Sequence, residues 1–142
     1  MRAVTRWLLG AGAVGILGWA SCWAGPAVLC SDTITGRYPA PQGRRVAVLV
    51  VRDCGATTGY ATHVFVTYPG EPLRGRRGNV IVADTDRGSA PHSAGGGLPI
   101  QVEWTGPDSL VLRYDARGRV FEAASRARGV QIAHVRIAAG GA

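Results

Sequence analysis

The sequence predicts an all-β domain, a small sandwich or partial barrel of about seven short strands, behind an N-terminal signal or anchor helix. Three observations predict it. Beyond residue 40, apolar and β-branched residues gather in segments of five to nine residues, several of them alternating with period two. Gly and Pro punctuate the intervals between these segments, and no stretch offers a convincing amphipathic helix. At 142 residues and 46% hydrophobic content, the chain can bury one core and has room for one domain.

The N-terminal segment divides by charge. Arg2 and Arg6 precede a run, Trp7 to Ser31, with no charged side chain, and Asp32 ends it. A basic start followed by Leu8, Leu9, Val14, Ile16 and Leu17 is the pattern of a signal peptide or an uncleaved anchor. Either assignment leaves the arginines inside and places the chain from Ala24 onward outside the cytoplasm. Residues 1–24 are therefore read as signal peptide or membrane anchor, 25–137 as one extracytoplasmic β domain, and 138–142 as a mobile small-residue tail.

Cysteine count gives the first staple. Cys22 belongs to the targeting segment, which leaves Cys30 and Cys54 as a pair expected to close in an oxidising compartment. A loop of this length is worth about 3.5 kcal/mol in the chain-entropy model. The rival reading makes Cys54 a nucleophile with His63 as its base.

The strands follow in order. Arg45 to Arg52 carries Val46, Val48 and Val50 on one face and Ala47, Leu49 and Val51 on the other, which predicts a strand buried on both sides. Ala61 to Tyr68 alternates Val64 and Val66 against His63, Phe65 and Thr67. Asn79 to Ala83, Ile100 to Trp104, Ser109 to Tyr114, Arg119 to Ala123 and Gly129 to Ile137 complete the set. Thr105 to Asp108 and Asp115 to Gly118 read as tight turns. Two longer connections remain, of the kind that is either functional or mobile. Pro69 to Gly78 carries Arg74, Arg76 and Arg77 on a Gly-spaced tip with only Glu71 nearby; Asp84 to Pro99 is rich in Gly, Ser and Pro and holds His92.

Charge and motifs narrow the function. The formal net charge is +7, all of the basic side chains are Arg, and discounting Arg2 and Arg6 leaves fourteen arginines against nine carboxylates. An Arg-only set is read as compositional, so no nucleic-acid partner is expected. Walker loops, His-Glu-x-x-His helices, Gly-x-Ser-x-Gly elbows and paired Cys-x-x-Cys motifs are all missing, and no cofactor is expected.

Two clusters are candidate sites. Asp53, Gly55, Thr57, Thr58, Gly59, Tyr60 and His63 lie in or beside one connection richer in short polar groups than a plain turn requires. Such a loop either satisfies its own backbone or forms a recognition nest for an anion or a glycan. Asp84 and Asp86 present two carboxylates to a cation, or form a solvated turn with Arg87 as partner. His63, His92 and His134 are scattered over two strands and a loop.

Three resemblances add to this. Trp19-Ala20-Ser21-Cys22 resembles the lipobox of bacterial lipoproteins, which implies a lipid anchor on Cys22; a cut after Ala20 or Ala24 competes with it. The stretch from Tyr38 through Gln42-Gly43-Arg44 to Val50 resembles the turn and strand that open blades of TolB-like propellers, and implies a turn at Pro41 to Arg44. The run Asp53-Cys54-Gly55-Ala56-Thr57-Thr58-Gly59 is similar to one in a group of small bacterial exported proteins with no assigned activity.

Two functions stay open. One is a non-catalytic β module of the cell envelope, tethered to the membrane by its N-terminus and facing an anionic envelope component. The other is a metal-assisted hydrolase built on Asp53, His63, Asp84 and Asp86. Convergence of those four side chains on one pocket favours the enzyme.

Overall fold

The structure, a computed structural model, describes residues 30–55 and 57–139. The signal or anchor segment, with Cys22 and its lipobox, lies outside the described residues, as do the last three residues of the tail.

All regular structure among the described residues is β. Nine strands form: β1 (Ser31–Pro39), β2 (Val46–Asp53), β3 (Tyr60–Thr67), β4 (Ile81–Asp84), β5 (Ile100–Gly106), β6 (Ser109–Asp115), β7 (Arg119–Ala123), β8 (Arg126–Ala127) and β9 (Val130–Ile137). They make a five-stranded sheet in the order β1-β2-β3-β4-β7 and a four-stranded sheet in the order β5-β6-β9-β8. Every pair is antiparallel except β6 with β9. The exception follows from the path: after β6 the chain crosses to the other sheet as β7 and returns through β8, so β9 arrives parallel to β6.

The two sheets bury one core between them. Ala47, Leu49, Val64, Val66 and Ile81 of the first meet Ile100, Leu110, Leu112, Val130 and Ile132 of the second. The second sheet shows the expected alternation, with β6 burying Leu110, Leu112 and Tyr114 and turning Val111 and Arg113 outward. Strand β2 is buried on both faces, as its sequence predicts. Its outer-face residues Val46, Val48 and Val50 form a second cluster with Phe65 and with Leu73 from the β3–β4 connection.

Strands β1 and β8 are the additions to the seven expected. Strand β1 is an edge strand exposed over most of its length, so burial writes no clean period into its sequence. A bulge between Ile34 and Gly36 shifts its register further. It is held from both ends: Cys30 and Cys54 are bonded beyond the Ser31/Asp53 pair, and Trp104 Nε1 donates to the Tyr38 carbonyl at 2.8 Å. Strand β8 is two residues long and turns into β9 through Arg128 and Gly129, both at positive φ. The turn implied at Pro41 to Arg44 is present, with Gln42 at φ 54° and the Ala40 N–H donating to the Arg45 carbonyl.

Candidate functional site

Sheet register decides which loops meet. Asp53 pairs with Tyr60, Ala61 pairs with Asp84, and Asp84 pairs with Arg119, so the β2–β3 turn, the end of β4 and the start of β7 share one end of the sandwich. The long β4–β5 connection folds back over this end. Together they enclose an open cleft of about 440 Å³ whose walls include Thr57, Thr58, Tyr60, Asp84, Arg87 and His92.

The β2–β3 turn supplies its own backbone partners. Asp53 Oδ1 accepts from the Gly55 N–H at 2.9 Å, and the Thr58 N–H and hydroxyl both donate to the Gly55 carbonyl at 3.2 Å. Gly55 and Gly59 adopt φ of 100° and 67°, a region where a Cβ is strained. Asp53, Gly55 and Thr58 therefore build the turn, and Thr57, Thr58, Gly59 and Tyr60 face the cleft.

Across the cleft, Asp86, Arg87 and Gly88 are three successive residues at positive φ, a run that non-glycine residues seldom adopt. The Gly88 and Ala90 N–H groups both donate to the Thr85 carbonyl and close this turn. The partner of Asp84 is Arg119 and not the neighbouring Arg87: Nη2 lies 2.5 Å from Oδ2, with a second contact from Nε at 3.3 Å. Asp86 stands 3.8 Å from the same guanidinium. The local choice fails because sheet pairing sets Arg119 opposite Asp84, whereas the left-handed turn carries Arg87 on toward the cleft. Nothing in the local sequence singles out Arg119, which stands 35 residues away.

The four residues of the hydrolase reading do not surround one cavity. Of the four, Asp84 alone lines the cleft; Asp53 closes its turn, and Asp86 is not among the lining residues. His63 sits on the outer face of the first sheet, 4% exposed, with Nδ1 accepting from the Gly78 N–H at 3.1 Å. Burial, then the charges of Arg52 and Arg77, push its pKa down to about 4 against the pull of Asp32 and Glu122. The nucleophile reading of Cys54 is corrected as well, since its sulfur is bonded to Cys30. His92 lies at the cleft and His134 on β9 binds the Ala124 carbonyl, so the histidines do not converge. Among the described residues, no group of three His, Cys, Asp or Glu side chains is placed to hold a metal ion.

The Arg-bearing connection from Pro69 to Gly78 is not the free tip that its composition suggests. It lies along the outer face of the first sheet as a strap. Leu73 plugs the second apolar cluster, the Gly75 N–H donates to Asp32 Oδ2 at 3.0 Å, and the Arg76 carbonyl accepts from Arg52 at 2.7 Å. Glu71 gathers the Thr67 hydroxyl, Arg76 and Arg128, and these partners, Thr67 first, pull its pKa down to about 2. Arg77 pairs with Glu122 at 2.6 Å. Only Arg74 of the three arginines has no ion-pair partner among the described residues. Two polar backbone contacts and one apolar plug explain the correction: the strap covers valines that would otherwise face water.

Compared with known proteins, the chain matches no family model, no curated protein and no solved structure.

Proposed function

We propose that this protein is an exported β module of the cell envelope, tethered by its N-terminus, that binds an envelope component in the cleft at the disulfide-bonded end. The observation that carries the reading is the gathering of Thr57, Tyr60, Arg87 and His92, from two connections far apart in sequence, around one open cavity. A polar cleft with an exposed aromatic ring and an uncommitted cation suits recognition of a polar, anionic partner. Chemistry is disfavoured because the candidate acid, base and nucleophile are each engaged: Asp84 by Arg119, His63 by Gly78 and Cys54 by Cys30.

Export is supported by the Cys30–Cys54 bond, which belongs to an oxidising compartment. The described chain begins at the same end of the sandwich as the cleft. Ser31, where the described chain enters the sheet, pairs with Asp53, which pairs with Tyr60.

The test is co-sedimentation of the full-length chain, kept in mild detergent, with purified cell-wall sacculi. Retention that falls in a Thr57→Ala, Tyr60→Ala double variant is expected. Retention unchanged by that variant, or none for the wild type, removes the cleft as a binding site.

A further inference from the structure

Tyr60 is 44% exposed, and its ring is seated on backbone. A methyl group built on Gly96 would stand 2.7, 2.8 and 2.9 Å from Cδ2, Cε2 and Cγ of the ring. Near-equal distances to three adjacent ring carbons place Gly96 over the face of the ring and not at its edge. One face is therefore fixed against the chain, and the exposed part of the side chain borders the cleft. Gly96 is itself at φ 90°, so this seat is specific to glycine.

The polar groups around this platform have defined roles to offer. His92 Nδ1 lies 3.0 Å from the Gly96 carbonyl, and a carbonyl only accepts, so Nδ1 carries a proton and, in the neutral ring, Nε2 is the acceptor. The Thr58 hydroxyl donates to Gly55 and keeps its lone pairs free, while Thr57 adds a further hydroxyl. Arg119 is neutralised by Asp84. Arg87 lines the same cleft and has no ion pair among the described residues.

We infer that the cleft takes an acidic saccharide, its ring stacked on Tyr60, its carboxylate held by Arg87 and its hydroxyls met by Thr57, Thr58 and His92. This rests on the cleft being the binding site proposed above. The apolar face of a pyranose presents C–H groups to the negative face of an aromatic ring. A guanidinium matches a carboxylate in a two-point fork. Hydroxyls, which both donate and accept, suit a wall of Thr and a His acceptor. The cavity, about 440 Å³, is of the size that small-molecule sites have. A bare inorganic anion would use Arg87 and leave the seated ring without a role.

The experiment is isothermal titration calorimetry of the full-length chain in mild detergent with three probes: an oligogalacturonide, the matching neutral oligogalactoside and inorganic phosphate. The acidic sugar is expected to bind at least about tenfold more tightly than the neutral one, the size of one charge-assisted contact. Arg87→Gln should erase that preference, and Tyr60→Ala should weaken both sugars. Tyr60→Phe, which keeps the ring, should retain binding, and a thermal unfolding transition kept by Tyr60→Ala shows that its loss of binding is not misfolding. Arg74→Gln, on the strap, should change nothing. Equal affinity for acidic and neutral sugars overturns the acidic assignment and leaves the binding function standing. Phosphate binding that ignores Tyr60→Ala, with no sugar bound, overturns the saccharide. Failure of all three probes with sacculi still retained through the cleft also overturns this inference alone; failure of both assays takes the binding function with it.

Discussion

Asp32 and Arg52 face each other across β1 and β2 and form a two-point ion pair, Nε to Oδ1 at 2.6 Å and Nη2 to Oδ2 at 3.0 Å. Their side chains are only 13% and 15% exposed. The pair sits one register position inside the Ser31/Asp53 pair that adjoins the Cys30–Cys54 bond. Each partner also holds the strap, Asp32 through the Gly75 N–H and Arg52 through the Arg76 carbonyl. One ion pair thus joins the edge strand β1, its neighbour β2 and the covering connection.

Asp32→Asn should cost about 2 to 3 kcal/mol, because it leaves a largely buried guanidinium without its charge partner. Thermal unfolding should show a fall on the order of 10 °C. The hydrogen bond from Arg52, then the Gly75 N–H, hold the Asp32 pKa below its ordinary value. Its contribution is therefore full above the unfolded carboxylate pKa of about 3.9 and is lost as pH falls through the lower folded value. An unchanged melting temperature in the variant would deny the pair this role.

Cys54→Ser should lower stability by about 3.5 kcal/mol, the chain-entropy value for the loop between Cys30 and Cys54. Intact mass with and without reductant should differ by two hydrogens for this pair. Two free thiols at these positions in the exported protein would contradict the structure.

His63 also makes stability fall with acid, in a higher pH window than Asp32. With its folded pKa pushed down to about 4, the native state stays neutral while the unfolded chain protonates below about 6.5. Stability is full above about 6.5 and falls as pH drops toward 4, by at most about 3 kcal/mol. His63→Gln should flatten this slope. An NMR titration of the His63 ring with a midpoint near 6.5 would overturn the assignment.

Leu73→Ala should loosen the strap before it unfolds the domain. Its side chain is buried against Val46, Val48, Val50 and Phe65, and truncation costs about 2 to 3 kcal/mol at such a site. Hydrogen exchange at the Gly75 and Gly78 amides should accelerate, while Val64 and Leu112 in the main core stay protected. Uniform acceleration across both groups would show that the strap is not a separate unit.

The N-terminal reading predicts that radiolabelled palmitate enters the wild type and not Cys22→Ser. Equal membrane association of the two forms would instead point to an uncleaved anchor, and a freely soluble product would defeat the tether. Cys22→Ser should leave the melting temperature of the β domain unchanged.

The sequence by itself determined the elements whose signal is local. Alternation wrote β3 and β6, a double-faced valine run wrote β2, and cysteine parity wrote the Cys30–Cys54 bond. The polar β2–β3 turn was legible as a candidate site because Gly and Thr cluster there without a packing reason. Only the tertiary structure decided which distant segments answer these signals. Asp84 takes Arg119, 35 residues away, over its neighbour Arg87, and Gly75 reaches Asp32 across 43 residues. Edge strand β1 carries little burial and hence little pattern, and its pairing depends on the partner strand and the disulfide. The physical reason is common to all three: periodicity records which face of a strand is buried, while the partner of a charge or of a loop is fixed by sheet register.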